Sequence, residues 1–305
     1  MVEILMATYN GAAFLREQLE SVLSQNDGDW HLTVSDDGSD DGTAEIIEEY
    51  AARFPAKISR HQSGKRFGNA KEHFLYLLRQ SDSEWVFLCD QDDVWFPGKL
   101  RRMREAIREA EEAYGSNMPL LVFSDQIPTD ARLRALDKSL MRYQKQYVKD
   151  FDYRSILLQN VVTGGAAAVN RKLISLALSC GDDAKMLMHD WWLAAVAARF
   201  GKIVFLNEAL GYYRQHEGNA VGAKAVGSLA YFWKKITSPG AVRSSVRKKK
   251  EQARLFYQTY RGRLKETDAA FLRGFIKRRS GIPFYIKYRK LIHGAQRRAG
   301  FMILG

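Results

Sequence analysis

An apolar, strand-forming segment that ends abruptly in acidic residues is the feature that most constrains this chain. Phe87–Cys89 are apolar, and Asp90, Asp92 and Asp93 follow within four positions. Carboxylates this close repel one another, and a divalent cation relieves the repulsion because hard oxygen ligands suit Mg²⁺ or Mn²⁺. The pattern predicts a metal-binding loop at a strand end. A helix cap at Asp92 or Asp93 is the competing explanation, although it accounts for one acid only.

A second acidic loop, residues 36–43, also lies between a strand pattern and a helix pattern. Part of it has the spacing of a calcium-binding EF-hand loop. An EF-hand requires a helix before its loop, whereas Trp30–Ser35 predicts a strand, so we reject that interpretation. The loop is better explained as a second ligand-binding strand end.

The first strand pattern, Val2–Thr8, ends in the polar residues Tyr9 and Asn10. Three strand–loop–helix units therefore lie between Met1 and Tyr114. Such units predict an open, mostly parallel α/β sheet whose ligands bind at the carboxyl ends of the strands. The glycine-rich dinucleotide fingerprint follows none of the three strands, so we expect no hydride-transfer cofactor.

Five short motifs occur in order along the chain: Thr8-Tyr9-Asn10, Asp36-Asp37-Gly38-Ser39, Asp90-Gln91-Asp92-Asp93, His189-Asp190-Trp191-Trp192 and Tyr213-Arg214-Gln215-His216. Together they resemble family 2 glycosyltransferases, which have the GT-A fold. The last two motifs look most like the rhamnosyltransferase-like branch. The resemblance covers about residues 1–222, and it implies a GT-A nucleotide-sugar domain there.

The resemblance implies an inverting, metal-dependent transferase of bacterial cell-surface polysaccharide synthesis. Such an enzyme moves rhamnose or another hexose from a dTDP- or UDP-linked donor to a hydroxyl of a glycan or lipid-linked acceptor. The resemblance places the catalytic base at Asp190, and the Mg²⁺ or Mn²⁺ ligands at Asp92 and His216. From the residues themselves we expect Asp190 to lie at a helix start, which favours its ionised form. A plain N-cap role for Asp190 is the alternative.

The remaining site residues fall into two groups. The resemblance implies that one group binds the nucleotide sugar, with Asp37 accepting from a pyrimidine ring N–H and Arg214 bonding phosphate oxygens. We predict that the other group lies on the acceptor side, as small residues beside the site or as aromatic walls for a sugar ring, with burial in the core as the alternative for each Trp. The first group is Thr8, Tyr9, Asn10, Asp37, Asp90, Gln91 and Arg214; the second is Gly164, Gly165, Trp191 and Trp192.

The net charge of +12 is distributed unevenly along the chain. Residues 223–305 contain 21 Lys and Arg but 3 Asp and Glu, whereas residues 1–222 contain 26 and 32. We predict a separate basic, aromatic-rich, mainly helical region at 223–305. Its composition favours the surface of an anionic membrane over plain packing on the catalytic domain, and makes nucleic acid the least favoured partner.

Several function classes are disfavoured by what the sequence lacks. No secretory signal, membrane-spanning apolar segment or disulfide framework is recognisable, so we expect a cytoplasmic enzyme, peripheral on the inner face of the plasma membrane. A nucleotidyltransferase should begin with a Gly-rich, basic phosphate loop, and Met6–Gly11 has none. A non-catalytic sugar-nucleotide-binding module would dispense with the base at Asp190.

Overall fold

One mixed sheet forms the centre of the molecule. The computed structural model describes residues 1–146, 151–217 and 239–277. Within them, eight strands lie in the order β3-β2-β1-β4-β7-β6-β8-β5. The strands are β1 (Val2–Thr8), β2 (Trp30–Asp36), β3 (Ile58–His61), β4 (Trp85–Cys89), β5 (Val94–Trp95), β6 (Leu120–Thr129), β7 (Ala167–Asn170) and β8 (Lys202–Arg214).

Strands β3, β2, β1 and β4 are parallel, as the three strand–loop–helix units predict. Thr8 lies beside Asp36, and Met6 lies beside Cys89, so the first three site loops leave the same edge of the sheet. Strand β7 enters antiparallel between β4 and β6. Strand β8 pairs with β6 and β5, and its end therefore reaches the acidic loop between β4 and β5.

Helices cover both faces of the sheet. They are α1 (Ala12–Leu23), α2 (Thr43–Arg53), α3 (Ala70–Gln80), α4 (Lys99–Tyr114), α5 (Leu140–Tyr143), α6 (Tyr153–Leu158), α7 (Arg171–Ala177), α8 (His189–Phe200), α9 (Pro239–Tyr260) and α10 (Glu266–Lys277). The predicted α/β class, with an open, mostly parallel sheet and a helical C-terminal part, is confirmed.

Alternate residues of the central strands contribute to two separate cores. In β1, Leu5 belongs to one core, whereas Ile4 and Met6 belong to the other. Because successive strand side chains point to opposite faces, an apolar strand such as β4 can serve both cores. Helices α1, α2 and α4 cover one face, and α3, α6, α7 and α8 cover the other.

Helices α9 and α10 complete the second of these layers. Phe256 and Tyr260 of α9 are buried against Trp192 of α8, with ring centroids 5.7 and 6.1 Å from the indole. A salt bridge of 2.7 Å joins Arg199 of α8 to Asp268 of α10. The described part of the basic C-terminal region thus shares one hydrophobic core with the sheet and α8. The predicted boundary at residue 222 lies outside the described residues.

No helix in the described parts of the chain is long and apolar enough to cross a bilayer.

The contribution of α9 can be measured at one ring. Phe256→Ala should lower the free energy of unfolding by about 3–5 kcal/mol, because it removes a fully buried ring and leaves a cavity. Denaturant unfolding measures the change. Leu136→Ala, at a side chain that is 47% exposed, is the control and should stay within about 0.5 kcal/mol. Equally small effects at both positions would contradict the packing of α9.

Candidate active site

The acidic loop after β4 is held from several sides. Asp93 is buried; its Oδ2 accepts from Gln126 Nε2 at 2.8 Å, and its Oδ1 accepts from the backbone N–H of Arg214 at 3.3 Å. Burial raises its pKa well above the usual range, and the charges of Asp90 and Asp92 act in the same direction. The residue preceding α4 is Gly98, so Asp92 and Asp93 do not cap that helix. The capping explanation is therefore wrong.

The side chain of Asp92 contacts that of His216, which follows the end of β8. Asp92 Oδ2 lies 2.7 Å from His216 Nε2, and both side chains are largely buried. The imidazole also lies 4.5 Å from the ring of Phe14 on α1. The sheet thus brings together two side chains that are 124 positions apart in the sequence.

Asp90 faces the interior between the acidic loop and the predicted base. Its pKa is raised to about 7, chiefly by burial and then by the charges of Asp92 and Asp190, while the charge of Lys99 opposes the shift. A positive charge placed beside Asp92 would favour the ionised form of Asp90.

Asp190 lies in the first turn of α8. Its Oδ1 accepts from the backbone N–H of Trp191 at 2.6 Å, and the helix is preceded by Met188, so Asp190 is not the N-cap. Burial raises the pKa of Asp190 to about 6, although hydrogen bonds from Trp191, Asn160 and Gly164 lower it. These hydrogen bonds at the helix start favour the ionised form, but desolvation exceeds their contribution, so the pKa of Asp190 lies above the usual value for aspartate.

The turn Gly164–Ala166 lies between the acidic loop and Asp190. A Cβ added to Gly165 would come within 2.7 Å of Asp90 Oδ2 and 2.8 Å of Asp93 Oδ2. A Cβ added to Gly164 would lie 3.2 Å from His189 Nε2 and 3.6 Å from Asp190 Cβ. The small residues therefore pack closely beside the site, as predicted from the sequence. Their contact with an acceptor stays a prediction.

The two tryptophans that follow Asp190 have different surroundings. Trp192 is fully buried, and its Nε1 donates to the carbonyl of Ala177 at 2.9 Å. The prediction that Trp192 lies on the acceptor side is therefore wrong, and its alternative, burial in the core, holds. Trp191 is partly buried, and Lys249 Nζ lies 5.7 Å from its ring centroid. Its acceptor role stays a prediction.

Gln91 and Asn10 connect the loops of the site. Gln91 bonds the backbone of Tyr9 twice, accepting from its N–H at 2.9 Å and donating to its carbonyl at 3.0 Å. Asn10 adopts a φ of 46° and donates its backbone N–H to Ser39 Oγ at 2.8 Å. These bonds align the loops after β1, β2 and β4. Direct contacts of Gln91 and Asn10 with a nucleotide sugar stay predictions.

The predicted nucleotide residues Thr8 and Asp37 lie beneath the surface. Thr8 is 1% exposed, and its hydroxyl bonds Asp36 Oδ1 at 2.9 Å, which argues against direct side-chain contact with a ligand. Asp37 accepts from the backbone N–H groups of Phe67 and Gly68. Each carboxylate oxygen has a second lone pair that can accept another bond, and the bond from Asp37 to a pyrimidine N–H stays a prediction.

Arg214 is buried and bonded to protein groups. Its Nε donates to the carbonyl of Asp92 at 2.8 Å, Nη1 donates to Ala131 at 2.8 Å, and Nη2 pairs with Glu17. Its guanidinium also lies 4.7 Å from the Phe14 ring centroid. These contacts show Arg214 anchoring the acidic loop to α1. Its predicted bond to phosphate stays a prediction.

Arg66 is a site residue that the sequence reasoning did not select. Its Nη2 donates to Tyr9 Oη at 2.8 Å, and its guanidinium lies 5.1 Å from the Tyr9 ring centroid. Both border the loops at the ends of β2 and β3, where a cavity of about 390 Å³ is lined in part by Asp36, Lys65 and Arg66. The flanking Gly64 and Gly68, both with positive φ, are the sequence signal of a shaped loop.

His189 has no described hydrogen-bond partner for either ring nitrogen. Its ring stacks on Phe74 with centroids 4.4 Å apart, and burial lowers its pKa to about 3. The imidazole of His189, directly before Asp190, is therefore neutral at physiological pH.

Comparison with known proteins assigns the chain to a family. The family model "Glycosyl transferase family 2" matches residues 3–173, which is more than half of the chain. The dTDP-rhamnosyl transferase RfbG of Shigella flexneri is similar, with 30% identity over 223 residues; these make up 72% of this chain and 74% of RfbG.

Solved structures show the same fold. S. aureus TarS 1–349, in complex with UDP-GlcNAc, superposes with a TM-score of 0.58 at 16% identity, covering 98% of this chain and 89% of TarS 1–349. The mannosyltransferase PcManGT of Pyrobaculum calidifontis, in complex with GDP-Man and Mn²⁺, gives a TM-score of 0.56 at 16% identity, covering 98% and 84%. The predicted GT-A type of fold is confirmed by these similarities.

Proposed function

Since this chain belongs to glycosyltransferase family 2, as predicted, we propose that it is an inverting enzyme with a nucleoside-diphosphate sugar as donor. One observation carries the proposal. The turn at Gly164 and Gly165 has the acidic loop on one side and Asp190 on the other. A sugar bound there would have its diphosphate near Asp92 and its anomeric carbon within reach of a hydroxyl activated by Asp190.

The proposed reaction is a single displacement. Asp190 accepts the proton of the acceptor hydroxyl while the hydroxyl oxygen attacks the anomeric carbon. The bond from that carbon to the diphosphate oxygen breaks, and its electron pair leaves with the nucleoside diphosphate. Attack from the face opposite the leaving group inverts the configuration.

Asp92 and His216 fit one side of a Mg²⁺ or Mn²⁺ site. The Asp92 carboxylate and the His216 imidazole, with Oδ2 and Nε2 2.7 Å apart, would hold the cation together, because carboxylate oxygen and imidazole nitrogen are both ligands of divalent metals. In the described residues, no group of three or more His, Cys, Asp or Glu is arranged to hold an ion unaided. We therefore propose that diphosphate oxygens complete the coordination. The bound cation would offset the charge on the departing diphosphate.

The donor is proposed to be dTDP- or UDP-linked. RfbG is named as a dTDP-rhamnosyl transferase, and the TarS structure contains UDP-GlcNAc, both with pyrimidine nucleotides. We propose that the pyrimidine ring of the donor binds beside Tyr9 and Arg66, which bond each other, and that Asp37 on the neighbouring loop accepts its ring N–H. The acceptor is proposed to be a glycan or a lipid-linked glycan of a cell-surface polysaccharide.

The proposed function is tested by donor screening followed by turnover. Bound ligand stabilises a native protein by mass action, so the cognate nucleotide sugar should raise the melting temperature more than its analogues. With acceptor added, it should release free nucleoside diphosphate and give a glycoside of inverted configuration. Release of pyrophosphate from a nucleoside triphosphate and a sugar 1-phosphate, with no turnover of the nucleotide sugar, would indicate a nucleotidyltransferase, and binding without turnover would indicate a binding module. Either result would contradict the proposal.

The pH profile provides a further test of the base. Because Asp190 must be ionised to accept a proton and burial raises its pKa to about 6, kcat/KM should fall as the pH falls below about 6. The profile should be measured at one subsaturating and one saturating cation concentration. An inflection that moves with cation concentration would belong to Asp90 and the cation site, and would contradict the assignment to Asp190.

We also propose that α9 contributes to binding at an anionic membrane surface. Arg247 and Lys248 are exposed on it, and each basic side chain near such a surface adds about 1 kcal/mol of attraction. Wild-type protein should sediment with anionic vesicles at low salt and be released as salt rises. Neutralising Arg247 and Lys248 to Gln should weaken binding more than neutralising Arg101 and Arg108 on α4, across the sheet. Equal effects would contradict a role for α9.

A further inference from the structure

Lys99, the first residue of α4, points into the protein and is 1% exposed. Lysine is almost never fully buried unless it is paired. Its Nζ donates to the carbonyl of Gly165 at 2.7 Å and lies 4.0 Å from the ring centroid of Trp95. The ammonium is therefore bonded directly to the turn beside the candidate active site.

The backbone of this turn acts as a spacer between two groups of side chains. Gly165 lies against Asp90 and Asp93, and Gly164 lies against His189 and Asp190. The Cβ distances of 2.7 and 2.8 Å at Gly165 leave no room for a side chain unless the carboxylates move. Any displacement of the turn would therefore change the separation of the acidic loop and Asp190.

Besides its hydrogen bond to Gly165, Lys99 interacts electrostatically with the carboxylates beside the turn. Asp90 and Asp93 both attract its ammonium, and the same charge favours their ionised forms. The Lys99 ammonium is thus hydrogen-bonded to the carbonyl of Gly165 and attracted by the carboxylates of Asp90 and Asp93. No role proposed for the acidic loop or for Asp190 includes this lysine.

We propose that Lys99 is a positioning residue that sets the separation of the donor-side carboxylates and the base by holding the carbonyl of Gly165. The inference rests on the proposed function. Lys99 touches neither substrate in this scheme and acts through the turn. A displacement of about 1 Å at reacting groups can cost on the order of 10²-fold in rate, so the effect should fall on turnover.

Substitution of Lys99 tests the proposal. Lys99→Met removes the charge and the donor, whereas Lys99→Gln keeps a neutral donor of shorter reach. Lys99→Met should lower kcat by about 10²-fold while the dissociation constant for the nucleoside diphosphate changes only a few-fold, and Lys99→Gln should recover part of the loss. Lys172→Met, at an exposed lysine, is the control and should match wild type.

Gly165→Ala tests the same turn without removing the buried charge, and it carries the test if Lys99→Met does not fold. It should also lower kcat by about 10²-fold. Gly181→Ala, where an added Cβ meets nothing within 4 Å, should not. In the double variant Lys99→Met/Gly165→Ala, the two losses should be clearly less than additive, because both act on one spacing.

The outcomes separate this inference from the proposed function. Wild-type protein that released no nucleoside diphosphate with any donor and acceptor would contradict the proposed function itself. In an active wild type, Lys99 and Gly165 variants that melt at lower temperature but keep wild-type kcat would overturn the positioning role. Fully additive losses in the double variant would also overturn it.

Discussion

Asp190→Asn should lower turnover by about 10²- to 10⁴-fold, the range expected for a positioned acid–base group. Asparagine keeps the size of the side chain and an oxygen that can accept from the Trp191 N–H. It cannot accept the proton of an attacking hydroxyl. Because the donor contacts proposed here lie on other loops, donor affinity should change only a few-fold, and the loss should appear in kcat.

The matched control for this substitution is Asp182→Asn. Asp182 is a partly exposed aspartate paired with Lys185 outside the site, and its amide variant should retain wild-type turnover. Steady-state kinetics together with equilibrium donor binding separate the two steps. Weakened donor binding with unchanged turnover in Asp190→Asn would assign Asp190 to donor binding and exclude it as the base.

Removal of divalent cations should abolish turnover, and Asp92→Asn should weaken donor binding as well as lower kcat. The departing diphosphate carries negative charge beside Asp92, and the neighbouring carboxylates of Asp90 and Asp93 increase the need for a cation. The amide of asparagine is a neutral and weaker ligand for Mg²⁺ or Mn²⁺ than a carboxylate. Turnover measured in EDTA and then after titration with Mn²⁺ or Mg²⁺ gives both the loss and its recovery.

Asp82→Asn is the control for this second substitution, because Asp82 is an exposed aspartate outside the site. It should show the same cation requirement as wild type. Asp92→Asn should need a higher cation concentration for whatever turnover remains. Full activity of wild type in chelator, or an unchanged cation requirement in Asp92→Asn, would contradict a cation at this position.

The position of the candidate site at one edge of the sheet could be predicted from the sequence, because it depends on where strands and helices begin and end and on the shared direction of parallel strands. Apolar strands, polar strand ends and amphipathic helices are visible in the first 114 residues, and parallel strands end at one edge of a sheet. Asp92 and His216 could be paired only through the family resemblance, because 124 residues separate them. The strand order that joins β8 to β5 is a tertiary property and has no local signal.

Properties that depend on burial were predicted least well. Trp191 and Trp192 are neighbours in sequence, yet about 100° separates successive side chains around a helix, so Trp192 is fully buried whereas Trp191 is only partly buried. Which of them is buried depends on α9, whose packing the sequence does not specify. The pKa of Asp190 likewise depends on desolvation by surrounding segments. For the same reason, the burial of Lys99 and the contact of Arg66 with Tyr9 could not be predicted from the sequence.

The packing of α9 and α10 on α8 has a consequence for the order in which the protein matures during synthesis. Every residue of the proposed site lies before residue 218, so the ribosome completes them well before the C-terminal helices. Until those helices emerge, Trp192 and Phe200 lack the rings of Phe256 and Tyr260 that cover them. N-terminal segments fold first as a chain is made. The loops after β1, β2 and β4 should therefore fold early during synthesis. Helix α8, which carries Asp190, should reach its final position only when synthesis is nearly complete.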